Sequence, residues 1–369
     1  MVRFALGLFL AGMLGCGATA GEPKAAKNAK AAPAADAGVL KSFAADCAAN
    51  AAEAEKAETM TVKGKDGWLF FGPELRHVSV GQFWGDAAAK ASKAKADDAD
   101  PLPPILDFKQ QLDKAGIELI FVPVPPKAIV YPDMLTDAVK PGDDGLPPRL
   151  DVHFQQFCRV LSDAGVKVID LVPVLMAKRL DEAGAMYCKQ DTHWSGRACV
   201  LTAKLLADEI KDRPWLKKVE KMELSAEERQ VQISGDLWRA LNDAAVPREV
   251  LPLRMVRSED TGGNVEPDRG SPVVLLGDSH TLVFHAGGAD MLSTGAGLAD
   301  QLAMELGFAV DLVGVRGSGA TPARINLFRR SQGDADYLSG KKLVIWCMSA
   351  REFTESTQGW RKVPIKPAR

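Results

Sequence analysis

The chain has 369 residues, 46% of them hydrophobic and 25% charged, enough for one large α/β domain or two smaller ones. Its 46 basic and 48 acidic residues leave a formal net charge of -2, which gives no electrostatic reason to expect a nucleic-acid partner. No run of eighteen apolar residues follows the N-terminus, so the body reads as a soluble domain rather than a membrane-spanning one.

Residues 1–20 read as an export signal. Arg3 supplies a minimal positive start, and residues 4–14 are apolar or Gly throughout but too short to cross a bilayer. Two processing sites compete. Met13-Leu14-Gly15-Cys16 is similar to a bacterial lipobox and would make Cys16 a lipidated N-terminus; Ala18-Thr19-Ala20 is a small-x-small site for plain secretion. Either one places the protein in the periplasm or beyond, with membrane contact through a lipid if Cys16 is modified. Five cysteines then remain: Cys47, Cys158, Cys188, Cys199 and Cys347. An odd number in an oxidising compartment leaves at least one free thiol. Their spacing matches no zinc pattern, and neither a metal nor a cofactor is expected. Cys158 and Cys347 lie in apolar periodic stretches and read as buried small hydrophobes.

Residues 21–60, rich in Ala, Lys and Glu, read as a tether followed by a weak helix near residues 41–59. Gly67-Trp68-Leu69-Phe70-Phe71-Gly72 opens the folded domain, expected over residues 61–360, as a turn leading into a short strand. The Ala- and Lys-rich stretch up to residue 100 reads as a solvated helix or loop. An alternating pattern begins near Pro103. A helix to residue 115 is followed by a strand over 117–124 and a loop at Pro125-Pro126-Lys127. Residues 148–164 have the spacing of an amphipathic helix, and residues 166–171 that of a strand. Helices are then expected over 173–183 and 195–211, the second with Ser195 as its N-cap.

Residues 214–270 break the rhythm and read as an insertion made of charged helical pieces and a Gly-rich loop. Strands over 273–277, 309–315 and 343–348 resume it, with helices near 298–307 and from Arg324. Five strands with intervening helices predict a three-layer αβα sandwich around a mainly parallel sheet.

The chemistry gathers on Pro272-Val273-Val274-Leu275-Leu276-Gly277-Asp278-Ser279-His280. The apolar run reads as a strand buried on both faces. Gly277 ends it, and Asp278-Ser279 supply the oxygens typical of a helix start. That puts Ser279 at the carboxyl end of a sheet strand, where open α/β sheets bind ligands, beside N–H groups able to stabilise an oxyanion. As a nucleophile Ser279 needs a base, and there are five histidines. His153 falls inside a helix, His77 in a poorly patterned region, and His280 abuts the serine awkwardly; His285 is placed to line the site. His193 stands in Asp191-Thr192-His193-Trp194, before a capped helix, where Asp191 can orient the imidazole.

These residues resemble the alginate O-acetyltransferase family (AlgJ and the N-terminal domain of AlgX), a branch of the SGNH hydrolase-like proteins. The resemblance covers roughly residues 64–355. It rests on Gly67-Trp68-Leu69-Phe70, Val122-Pro123-Val124-Pro125-Pro126-Lys127 with Tyr131-Pro132, Val168-Ile169-Asp170-Leu171, Asp191-Thr192-His193-Trp194 and Gly277-Asp278-Ser279-His280. It implies a circularly permuted motif order, with the Asp/His block ahead of the serine block. It also implies Ser279 as nucleophile, His193 as base and Asp191 as its orienting carboxylate. The Ser279 N–H is then one oxyanion donor, and Gly317 or Gly319 a candidate for the second. Arg351, in Ser349-Ala350-Arg351-Glu352, stands where ordinary SGNH hydrolases carry an Asn block and is a candidate for substrate or oxyanion contact. The implied activity is O-acetylation of a polysaccharide acceptor, with a membrane-bound O-acyltransferase partner as acetyl source. An acetylesterase and a non-catalytic polysaccharide-binding protein are the alternatives.

Overall fold

The computed structural model describes residues 35–365; the export signal and Cys16 lie outside them. Five strands form a sheet that is parallel throughout: β3 (Glu118–Val124), β4 (Lys167–Val168), β7 (Val273–Gly277), β8 (Asp311–Gly314) and β9 (Leu343–Ser349), in the order β4-β3-β9-β7-β8. β7 and β9 are buried at every residue, and β3 at all but its first. Such burial is why they read as unbroken apolar runs. Helices α3 (Leu102–Lys114), α4 (Val152–Asp163), α5 (Gly196–Ile210), α7 (Leu298–Leu306) and α8 (Thr321–Gly333) complete the α/β architecture, and α5 packs on α7. Ser195 caps α5 by accepting the Ala198 N–H. The expected α/β fold is the one observed.

β3 and β7 each lead outward to an edge strand on opposite sides, and β9 returns between them. The loops at the carboxyl ends of these central strands therefore face one crevice, the usual ligand position in open α/β sheets. At the mouth of that crevice β7 must end in glycine, because a Cβ at Gly277 would stand 1.8 Å from the Cys347 carbonyl oxygen.

Several elements differ from the reading of the sequence. Helix α1 (Ala37–Lys56) begins before the weak helix expected, is capped by Asp36, and buries Phe43, Cys47 and Ala54 in the main core as part of the domain; the expected tether lies mostly outside the described residues. The stretch to residue 100 is not a solvated loop: α2 (Gly72–Ser79) buries Leu75 and His77, and Phe83 stacks on Phe353 at 4.9 Å and meets Phe157 edge-on at 5.0 Å. A few aromatic side chains outweigh an Ala- and Lys-rich average. The helix expected over 173–183 covers only Val172–Ala177.

The insertion contains a long antiparallel hairpin, β5 (Leu224–Gln232) with β6 (Val250–Ser258), joined through the short helix α6 (Asp236–Leu241). Its charged run Glu227-Glu228-Arg229 is a strand rather than a helical piece. β6 buries Leu251, Leu253 and Met255 in alternation, and its ladder fixes the conformation of an otherwise exposed partner. All five described cysteines are free thiols. Among the described residues no helix is long and apolar enough to cross a membrane.

Candidate active site

The end of β7 builds the first wall. Asp278 caps a single 3₁₀ turn, Ser279–Thr281, rather than the helix expected there. Its carboxylate accepts the His280 N–H at 2.9 Å and the Ser349 N–H at 2.7 Å, tying the end of β7 to the end of β9. The Thr281 N–H goes to the Asp278 carbonyl at 3.0 Å. These bonds turn the backbone and present the Ser279 hydroxyl to the crevice.

The second wall is the loop before α5. A bridge between Tyr187 and Trp194 and a bond from the Ser195 N–H to the Met186 carbonyl (3.0 Å) fold it back on itself. The Trp194 indole N–H donates to the His280 carbonyl at 3.1 Å, latching this loop onto the serine turn. His193 is thereby delivered with its Nε2 at 2.7 Å from Ser279 Oγ and its Nδ1 at 2.6 Å from Asp191 Oδ1. With Nδ1–H given to Asp191, Nε2 is left to accept the serine proton. Ser279 keeps 7% of its surface exposed, His193 5% and Asp191 none, so the line runs from the rim inward.

A third segment supports Asp191 from behind. The Asp236 N–H, at the start of α6, donates to Asp191 Oδ2 at 2.8 Å, and the Asp236 carboxylate accepts the Thr192 N–H (2.7 Å) and hydroxyl (2.6 Å). Burial opposes charge on every one of these groups, yet the His193 imidazole beside it holds Asp191 below the usual carboxylate range. His193 is likewise penalised by burial, but Asp191 raises it above an ordinary histidine. Asp236 is pushed up by burial and by the charge of Asp191. Asp191, His193 and Asp236 hold ligand-type atoms within 4.8 Å of one another, a spacing that suits a cation. Those atoms already face one another, backbone N–H groups or the Thr192 and Ser279 hydroxyls, so the cluster is arranged as a hydrogen-bonded network.

The model of the SGNH hydrolase-like domain of acetyltransferase AlgX matches residues 61–350. The chain belongs to this family. It is 27% identical over 151 residues to the probable alginate O-acetylase AlgJ of Pseudomonas aeruginosa, a match covering 41% of this chain and 33% of that protein. With the probable alginate O-acetylase AlgJ of Azotobacter vinelandii it shares 24% identity over 296 residues, 77% of this chain and 67% of the relative. Thus the match with the first of these spans about a third of that relative's length. The O-acetyltransferase domain of Pseudomonas putida AlgJ superposes with a TM-score of 0.58 at 21% identity, over 80% of this chain and 92% of that one. Pseudomonas aeruginosa AlgX gives 0.55 at 17%, over 80% and 63%. At these identities the two structures speak to the fold.

In this SGNH hydrolase-like domain the other expected site residues separate. Gly319 lies against the serine turn: a Cβ there would stand 3.0 Å from the Asp278 nitrogen and 2.7 Å from the Met348 Cβ. Gly317 adopts a φ of 106° in open space, so its requirement is conformational. Arg351 is largely buried, donates to Ser349 Oγ at 3.1 Å and stands 3.8 Å from Glu74. Its charge bears on both His193 and Asp278. His285 gives its ring to Asp300 at 3.0 Å, and no hydrogen bond joins it to Ser279, His193 or Asp191. His280, bonded to Asp278 at 3.2 Å, is held down at about 4 by burial and remains neutral under the His193 ring.

Sequence reasoning missed Asp236, which supports Asp191, and two buried charged residues, Glu74 and Lys127. The Lys127 ammonium donates to the Asp191 carbonyl at 2.6 Å, and its backbone N–H donates to Glu74. Each makes its key bond to or from a backbone group, which leaves no residue pattern to find. The Pro-Pro-Lys run and the Gly235-Asp236 step were the available signals.

Proposed function

We propose that this chain is a polysaccharide O-acetyltransferase working outside the cytoplasm through an acetyl-serine intermediate on Ser279. The observation that carries the reading is the hydrogen-bonded line Ser279–His193–Asp191 at the carboxyl ends of parallel strands. The names of the relatives supply the class of group transferred and of acceptor.

In the first half-reaction His193 Nε2 takes the Ser279 proton while Oγ attacks the carbonyl carbon of an acetyl ester. The tetrahedral intermediate collapses by breaking the donor C–O bond, and the leaving oxygen receives that proton from His193. In the second half-reaction a sugar hydroxyl gives its proton to His193 and attacks the acetyl-serine carbon. The Oγ–acyl bond breaks and Ser279 regains a proton, so the enzyme is unchanged. Asp191 stabilises the imidazolium formed in both halves. The N–H groups of Ser279 and Gly319 are the candidates for the oxyanion, since Gly319 lies against the serine turn, and Gly317 gives the Gly319 loop its turn. His285, committed to Asp300, is given no part in the chemistry. A membrane-bound O-acyltransferase is the fitting acetyl source, since acetyl-CoA is not expected outside the cytoplasm, and lipidation of Cys16 would keep the two together.

The test offers purified protein an activated acetyl ester, with and without a panel of oligosaccharides. The proposal expects leaving-group release that needs Ser279, and acetyl diverted to sugar as a mass gain of one acetyl group per modified hydroxyl. Ser279-dependent release with no sugar product across the panel would make the protein an esterase instead.

A further inference from the structure

Lys127 follows Pro125-Pro126 at the end of β3 and is 1% exposed. Its ammonium donates to the carbonyl oxygens of Leu69 (2.7 Å) and Asp191 (2.6 Å), with the Lys189 carbonyl at 3.4 Å. An ammonium has three donors, and here all three face main-chain oxygens. Its backbone N–H is held by Glu74 at 2.9 Å. Three separate stretches, β2 (Leu69–Phe71), the loop after β3 and the loop carrying His193, therefore meet on one side chain.

Burying an ammonium is costly, and burial does depress the pKa of Lys127, against the pull of Glu74, Glu249 and Asp191. A neutral packing residue would fill the same space without that cost. What it would not do is hold the carbonyl of Asp191, the residue whose carboxylate orients His193. We propose that Lys127 is a positioning residue: by fixing the Asp191 main chain it sets the angle at which the carboxylate meets His193. This rests on the triad assignment above.

The experiment is a double-mutant cycle on the full chain, read by Ser279-dependent release from 4-nitrophenyl acetate as a function of pH. Lys127→Met keeps the stem and removes the donor. It should lower kcat by about 10²-fold, as a displacement of about 1 Å does, with KM nearly unchanged. The acid limb of the profile should move to lower pH, because His193 loses the carboxylate that raises it. The other groups facing His193 (Asp236, His280, Arg351 and Glu74, the last held to the Lys127 main chain) are left in place. In an Asp191→Asn background the same substitution should cost little more, since both changes remove one interaction.

A folded Lys127→Met with wild-type kcat and an unmoved limb overturns the proposal, as does an equal loss in both backgrounds. If Lys127→Met does not fold, Lys127→Arg, which keeps the charge, takes its place in the cycle. Failure of both to fold makes Lys127 a residue of stability alone and overturns the proposal too. Wild-type protein without any Ser279-dependent release is a separate result: it removes the triad, and this inference with it.

Discussion

His193 serves as a base only while its imidazole is neutral. Asp191 outweighs burial and sets its pKa above the ordinary histidine value, so release from a neutral acetyl ester should rise with pH through that elevated value. Asp191→Asn should move the limb down and lower kcat by about 10²–10⁴-fold; a pH–rate profile of the two proteins checks both, and a limb that stays in place speaks against the orienting role. The same shift bears on stability. A raised His193 contributes stability that is full below about 6.5 and is lost as pH rises through its folded value, whereas the depressed Asp191 contributes above about 3.9 and loses it on acidification. His280 is held down at about 4, so between roughly pH 6.5 and 4 the unfolded chain takes up the proton first and stability falls with pH. Urea midpoints across that window should fall less steeply in His280→Gln than in wild type. The triad residues were legible in the sequence because few histidines exist and His193 alone stands in an Asp-x-His-Trp run just before a capped helix. Asp236 and Lys127 were not, because each of their bonds to Asp191 has a main-chain atom at one end and spans 45 and 64 residues along the chain.

The hairpin insertion reaches the site through the Asp236 bonds and a close approach at Gly235. A Cβ at Gly235 would stand 2.1 Å from the Gln190 carbonyl oxygen, so α6 approaches the His193 loop as near as backbone allows. Gly235→Ala should push α6 back, lengthen the Asp236 N–H to Asp191 bond and lower kcat by about 10-fold or more, in line with the cost of misplacing a catalytic group. Steady-state kinetics beside a thermal melt decides it: a variant with full activity would show that the insertion is only decoration. The central strands β3, β9 and β7 were readable from sequence because burial on both faces makes them continuous apolar runs. The charged strand β5 was not. Its conformation is imposed by β6, and Glu and Arg at its exposed positions give no period-2 signal to set against a helical one.

The described chain is joined across its length where the segment around Phe83 packs on distant elements. Phe83, Phe157 and Phe353 bring the segment between α2 and α3, α4 and the segment after β9 into one aromatic cluster. Phe353 is fully buried, and Phe353→Ala should cost about 3–5 kcal/mol of unfolding free energy. A drop in the urea midpoint without a change in slope would match that; no change would mean the cluster does not join the segments. Composition hid this cluster, since Ala and Lys dominate residues 37–100 by number while a handful of aromatics carry the packing. Beyond the domain, Cys16→Ser should release the protein from membranes if the lipid reading holds, and unchanged fractionation would favour cleavage after Ala20. The central claim is that the line of hydrogen bonds ending at Ser279 carries an acetyl group. Peptide mass spectrometry after brief exposure to an activated acetyl ester tests it most directly. The expected result is one acetyl group on the peptide containing Ser279, absent in Ser279→Ala and lost over time in wild type as an acceptor is added. Acetylation elsewhere with Ser279 unmodified, or release that survives Ser279→Ala, would contradict it.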